Sequence, residues 1–296
     1  MNDRAFFAAS YLAFTSIFGV PLIFAPQVAV GQSSQTTVRY LNVQRVIGNV
    51  TFRNSLKPVK AGDRLTNIGQ GISTGANSSA VLTMDVGVGT VNVAANTNFV
   101  IKELKTTANG GKVTLLEVSK GQVRIALRPF SNPQSRFEVQ TPAGIAGVRG
   151  TEFGVLVADD GQTNVLTNTG SVGVTGAGET VAVDAGYATI VAMGQTPLPP
   201  RPTQDDLYLE VYPAEWFPDN GWTVFGKVNP FNFVWVNGKQ IPVMEDGSFF
   251  LAYGDVLPTE MQAIRVLTPL GQTKMIFTLL RDDRPSLELR GDRHEL

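Results

Sequence analysis

The chain has 296 residues, 43% of them hydrophobic and 17% charged, with a net charge of −1. That apolar content suffices for two packed domains, and the charge balance excludes a general nucleic-acid binder, whose affinity would come from clustered Lys and Arg on phosphates. The absence of Cys excludes disulfides, thiolate metal sites and Cys nucleophiles together.

The N-terminus reads Met1-Asn2-Asp3-Arg4, then an uncharged apolar run from Ala5 to about Ala25, interrupted by Pro21. Pro26 follows, and the small residues Ala29 and Gly31 suit a signal peptidase cutting after Gly31. The run exceeds an ordinary secretory core of about 7–15 residues and approaches the length that spans a bilayer. The pattern predicts a leader over 1–31, either a signal peptide or an uncleaved anchor. Residues from 32 onward are then exported, periplasmic or cell-envelope associated, and membrane contact is confined to a retained leader.

Residues 38–195 repeat one habit, short apolar/polar alternation closed by Gly, Asn or Asp. Gly89-Thr90-Val91-Asn92-Val93, Gly121-Gln122-Val123-Arg124-Ile125 and Gly170-Ser171-Val172-Gly173-Val174 are examples. Period-two alternation between turn residues predicts half-buried strands. Many short strands without helical intervals predict an all-β solenoid, roll or sandwich. At 196–206 a linker follows, with Pro197, Pro199, Pro200 and Pro202 favouring an extended, semi-rigid spacer.

Beyond it the composition changes, and Trp216, Trp222 and Trp235 all lie here. The run Phe233-Val234-Trp235-Val236 ends at Asn237-Gly238, a hairpin turn signal, and Glu245-Asp246-Gly247 precedes Ser248-Phe249-Phe250-Leu251. Residues 207–280 therefore read as a small β-sandwich. The tail, 281–296, is charged and poor in apolar residues.

Four ordered blocks carry a family resemblance. They are Ala61-Gly62-Asp63-Arg64-Leu65 with Ile72-Ser73-Thr74 and Ser79-Ala80-Val81-Leu82; Lys120-Gly121-Gln122-Val123-Arg124; Phe137-Glu138-Val139-Gln140-Thr141-Pro142 leading into Gly147-Val148-Arg149-Gly150-Thr151-Glu152-Phe153; and Gly170-Ser171-Val172 with Val183-Asp184-Ala185-Gly186. Residues 61–192 thereby resemble the extracytoplasmic domain of the FecR family. The resemblance implies a β-solenoid-like or roll-like domain that, in signalling members, passes a signal from an outer-membrane receptor to a sigma factor. That route needs a cytoplasmic segment ahead of the membrane, and only Met1 to Arg4 precede the apolar run. The expectation is a sensing or docking domain without the sigma-regulating output. Val224-Phe225-Gly226, Val236-Asn237-Gly238 and Asp246-Gly247-Ser248-Phe249 resemble the immunoglobulin-like accessory domain of glucodextranases. In that family the domain is an appendage without catalysis.

Candidate sites are few. His294, the one histidine, stands in the charged tail, where neither a catalytic triad nor a metal site finds a rigid frame. Asp159-Asp160-Gly161 reads as a turn and lacks the further oxygen ligands that calcium needs. Gly144, Gly147 and Gly150 have neither the spacing nor the following helix of a dinucleotide site. Arg149 and Glu152 flank Gly150, either as an ion pair closing a tight turn or as part of a docking surface. Trp235, alternating beside Phe233, is expected in the sandwich core. Trp216 and Trp222 bracket Pro218-Asp219-Asn220-Gly221 and are expected to be partly exposed.

No catalytic, cofactor-binding or metal residues are expected, and Trp216, Trp222 and Arg149 are the candidates for partner or ligand contact. The sequence thus describes a non-catalytic exported protein that binds an envelope protein. A carbohydrate-binding protein is the alternative, and a polysaccharide-active β-solenoid enzyme a further one.

Overall fold

The structure, a computed structural model, describes residues 38–53 and 55–280. The leader expected at 1–31 and the tail at 281–296, with His294, lie outside the described residues. Every helix or strand among the described residues is a β-strand, as the Val- and Thr-rich alternation demands. No helix among them is long and apolar enough to cross a membrane.

The first lobe is organised around one long strand, Lys112–Leu127. Val113 is buried near its start; around its middle the buried apolar positions are Leu116 and Val118, then Val123, Ile125 and Leu127, so the alternation changes phase there. The change falls at Gly121, where φ is 91° and a Cβ would come within 2.5 Å of the Thr97 Cα. Ahead of this kink the strand pairs with Asn98–Thr106 and, in parallel, with Arg136–Gln140. After it, the partners are Gly89–Val93 and Glu152–Val157. One strand therefore serves two layers, which share a core. Phe99, Leu116, Phe137 and Val139 enter it from one layer, and Leu82, Val91, Ile125 and Phe153 from the other.

The pairing in this lobe is antiparallel except between Lys112–Leu127 and Arg136–Gln140. Stacked solenoid coils would pair in parallel; the short turns here reverse the chain instead. Ser171–Gly176 and Glu179–Asp184, for example, are joined through Ala177 and Gly178, both at positive φ, the backbone of a tight hairpin.

The proline-rich segment runs beside the last long strand of the lobe. Leu198 N–H donates to the Ile190 carbonyl at 2.9 Å, and Arg201–Pro202 pairs with Tyr187 and Ala188. Prolines are tolerated there because an edge needs few ladder donors. Downstream, Asp205 accepts hydrogen bonds from Thr268 Oγ1 at 2.9 Å and Leu270 N–H at 3.2 Å. Burial pushes the Asp205 carboxyl up, and those bonds do not fully offset it.

The second lobe stacks two four-stranded sheets. One holds Leu209–Val211, Glu215–Phe217, Gly221–Val228 and Ser248–Gly254; the other holds Lys239–Ile241, Phe233–Val236, Gln262–Leu267 and Thr273–Thr278. Val224, Val234, Phe249, Ile264 and Val266 fill the space between. The Asn237-Gly238 turn, with φ of 49° and 83°, joins Phe233–Val236 to Lys239–Ile241 as expected.

The lobes meet through matched buried groups. Gln122 Nε2 donates to the Pro269 carbonyl at 2.9 Å, and Asn164 Nδ2 to the Phe231 carbonyl at 3.0 Å. Both amides are almost wholly buried, so each bond removes the cost of an unsatisfied polar group. Apolar contacts flank them: Leu156 and Ala158 with Phe233, and Leu166, Ala188 and Ile190 with Phe231.

Candidate functional site

The outer face of the second lobe carries a row of aromatic rings. Gly221–Val228 buries Val224 and Val228 and turns Phe225 and Lys227 outward. Ser248–Gly254 pairs antiparallel with it, placing Phe250 opposite Phe225 and Ser248 opposite Lys227. On the other edge Glu210 stands opposite Lys227, and Tyr212 N–H donates to the Phe225 carbonyl at 2.9 Å. Tyr212, just beyond the strand Leu209–Val211, thus stands abreast of Phe225 and Phe250, the three being 44%, 37% and 47% exposed. Phe217 meets Phe225 edge to face, with ring centroids 5.8 Å apart. Such a contact is worth about 0.5–1.5 kcal/mol beyond its buried area and fixes the central ring.

Beside the row, Glu210 sits between two tyrosines. Tyr212 Oη donates to Glu210 Oε2 at 2.7 Å, and a hydrogen bond to the same carboxylate pushes the Tyr208 phenol up to about 12. Both phenols therefore stay protonated at physiological pH. Their bonds hold Glu210 below the usual carboxylate range.

The tryptophans divide. Trp216 and Trp222 face one another across the Glu215–Phe217/Gly221–Val228 hairpin, on the other side of the sheet from Phe217 and Phe225. Trp216 is 54% exposed, while Trp222 is half-buried against the sandwich core. Trp235 is not in that core. It shares a face with Phe233, as alternation requires, but the face turns towards the first lobe, while Val234 and Val236 enter the sandwich.

Arg149 is exposed, and among the described residues it forms no ion pair. The ion pair expected between Arg149 and Glu152 is replaced by one between Arg124 and Glu152. Arg124 lies opposite Gly154 and Glu152 opposite Ala126, which makes them diagonal neighbours on one sheet face. Arg124 Nε donates to Glu152 Oε1 at 2.9 Å, and Asn168 Nδ2 to Oε2 at 2.8 Å. Burial raises the Glu152 carboxyl, but the bonds from Arg124 and Asn168 and the Arg124 charge outweigh it and hold it low.

A lowered folded value means that this contribution to stability is present above the unfolded value and is lost as pH falls through the folded one. The pair is largely solvent-exposed, so the effect is small. Acid titration of thermal stability is expected to show a shallower loss below about pH 4.5 in Glu152→Gln than in the wild type. Parallel curves would assign the acid sensitivity elsewhere.

The Asp159-Asp160-Gly161 segment is a turn, with Gly161 at φ 86° and Asp160 Oδ1 accepting from Gln162 N–H at 3.0 Å. Among the described residues no three His, Cys, Asp or Glu side chains converge to hold a metal ion.

Strand reading does not single out Phe250 or join it to Tyr212 and Phe225. The Phe249-Phe250 doublet was the available signal, since one of two adjacent strand residues must face away from the core.

Residues 70–173, a stretch that includes the kinked strand and the Arg149 block, match the family described as FecR protein. Two crystal structures of a protein proposed to be an anti-sigma factor, from Parabacteroides distasonis ATCC 8503, are similar to this chain. One is 18% identical with a TM-score of 0.36, covering 45% of this chain and 59% of that one. The other is 17% identical with a TM-score of 0.29, covering 46% and 57%. A polysaccharide lyase aligns at 11% identity and a TM-score of 0.18, over 83% of this chain and 40% of that one. This chain thus spans less than two thirds of each of these proteins. No curated protein matches it.

Proposed function

We propose that this is a non-catalytic, exported cell-envelope protein in which a roll-like FecR-family domain and an immunoglobulin-like sandwich form one sensing or docking module for a protein partner. The apolar run Ala5 to Ala25 supports export, and the family match over 70–173 supports a sensing role. The observation that carries partner binding is the row Tyr212, Phe225 and Phe250, three large rings held side by side in solvent. Exposed aromatics clustered on a rigid sheet are the ordinary anchors of protein interfaces.

The ring chemistry favours a protein over a glycan. Sugar recognition needs several free hydrogen-bonding groups beside the stacked ring, whereas Glu210 is already engaged by tyrosine hydroxyls, the phenylalanines offer none and Lys227 brings a single ammonium.

The double variant Phe225→Ser/Phe250→Ser is expected to melt within a few degrees of the wild type and to lose partner affinity by about tenfold or more. Co-purification from envelope extract with the full chain reads this directly. Undiminished recovery of the same partner would refute the aromatic row as the contact. Saturable quenching of tryptophan fluorescence by envelope glycans, with no protein recovered, would instead support a carbohydrate ligand.

A further inference from the structure

Where the lobes meet, a cavity of about 400 Å³ lies between the kink of the long strand, at Lys120 and Gly121, and the outward face of the sheet that holds Phe233–Val236 and Gln262–Leu267. Along that sheet Gln240, Trp235 and Arg265 stand opposite one another in neighbouring strands, so one row walls the cavity. The Arg265 guanidinium lies 4.2 Å from the centre of the Trp235 ring. Among the described residues it has no carboxylate partner and no hydrogen bond. It is half-buried, and desolvation pulls its pKa down. A guanidinium partly withdrawn from water without an anion is unfavourable, and a ring face offsets only part of that.

The opposite wall adds Lys120, 3.6 Å from Asp159 Oδ1. The cavity therefore has two cations against one carboxylate. Gln240 Oε1 accepts the Asp159 N–H at 3.2 Å, and among the described residues the Gln240 amide donors and the Asn96 side chain have no hydrogen bond.

We propose that this cavity binds a small hydroxylated carboxylate of about monosaccharide size, a sugar acid, with its carboxylate on Arg265 and Lys120 and its hydroxyls on Gln240 and Asn96. Arginine's planar fork matches a carboxylate in two parallel hydrogen bonds, and a volume near the lower end of small-molecule pockets suits a single sugar ring. The site uses both lobes, so occupancy fastens them together. It is independent of the aromatic row, which lies on the sheet formed by Gly221–Val228 and Ser248–Gly254.

Calorimetric titration of the full chain with D-glucuronate tests it, with D-glucose and inorganic phosphate as comparisons. Saturable glucuronate binding is expected, with no saturation by glucose and at least tenfold weaker binding of phosphate. Arg265→Gln should weaken glucuronate binding about tenfold or more. Lys120→Gln, on the exposed rim of the other lobe, should weaken it several-fold and serves if the arginine variant does not fold. Absence of saturation by glucuronate, equal binding of glucose or phosphate, or wild-type affinity in the folded variants would each overturn the proposal. Loss of partner recovery in Phe225→Ser/Phe250→Ser with glucuronate binding intact would separate the two sites.

Discussion

Gly154→Val is expected to part the two lobes. Gly154 lies in Glu152–Val157, and a Cβ added there would overlap the Pro269 carbonyl, reaching its carbon at 2.5 Å and Leu270 N at 3.0 Å. Both are backbone atoms of the second lobe, so no rotamer change relieves the collision. Overpacking of this kind costs about 1–3 kcal/mol by itself. The same displacement would pull Pro269 from Gln122, leaving a buried amide unsatisfied at a further cost of roughly 1–3 kcal/mol. Cleavage by protease within 196–206 should rise at least tenfold, because separation strips that segment of its contacts with the second lobe, such as Asp205 with Thr268. Melting should also resolve into two transitions. Wild-type protease resistance and a single unchanged transition would show that the lobes tolerate the side chain.

The second large effect separates two adjacent phenylalanines. Phe249 is fully buried, and its ring occupies the space that a Cβ on Gly226 would need, with Cε1 only 2.6 Å from that point. Phe249→Ala should cost about 3–5 kcal/mol, the range for truncating a buried aromatic. A lobe this small, at roughly 0.05–0.15 kcal/mol per residue, would lose much of its stability. Phe250→Ala, one residue on, should cost no more than about 0.5 kcal/mol, because that ring faces solvent. Chemical denaturation of the two variants reads the contrast. A strand register shifted by one residue would reverse it.

Strand reading captured what local pattern encodes. The alternation at Gly89-Thr90-Val91-Asn92-Val93 became the strand Gly89–Val93, and Asn237-Gly238 became a hairpin. The surroundings of a strand are not local, and there the reading stopped. Alternation placed Trp235 with Phe233 on one face, but which face meets the sandwich depends on where the first lobe packs. Proximity in sequence suggested Arg149 for Glu152, whereas ladder register brought Arg124 from a distant strand. The phase change at Gly121 was equally hidden, since alternation is intact on either side of it. Trp216 was legible as exposed because it borders a Pro-Asp-Asn-Gly turn. The row Tyr212, Phe225 and Phe250 was not, because its members come from two strands and from the residue that follows a third. Hydrogen bonding of the proline-rich segment to Ile190 and of Asp205 to Thr268 likewise depends on partners far along the chain.

Those three rings supply the most direct test of partner binding. A photo-crosslinking phenylalanine analogue would be placed in the full chain at Phe225 or Phe250, and as a control at Val86, which is 88% exposed on the first lobe. After irradiation in intact cells, a discrete adduct with the same protein is expected from both second-lobe positions and not from Val86. No adduct at either ring, or equal labelling from Val86, would contradict docking through this face.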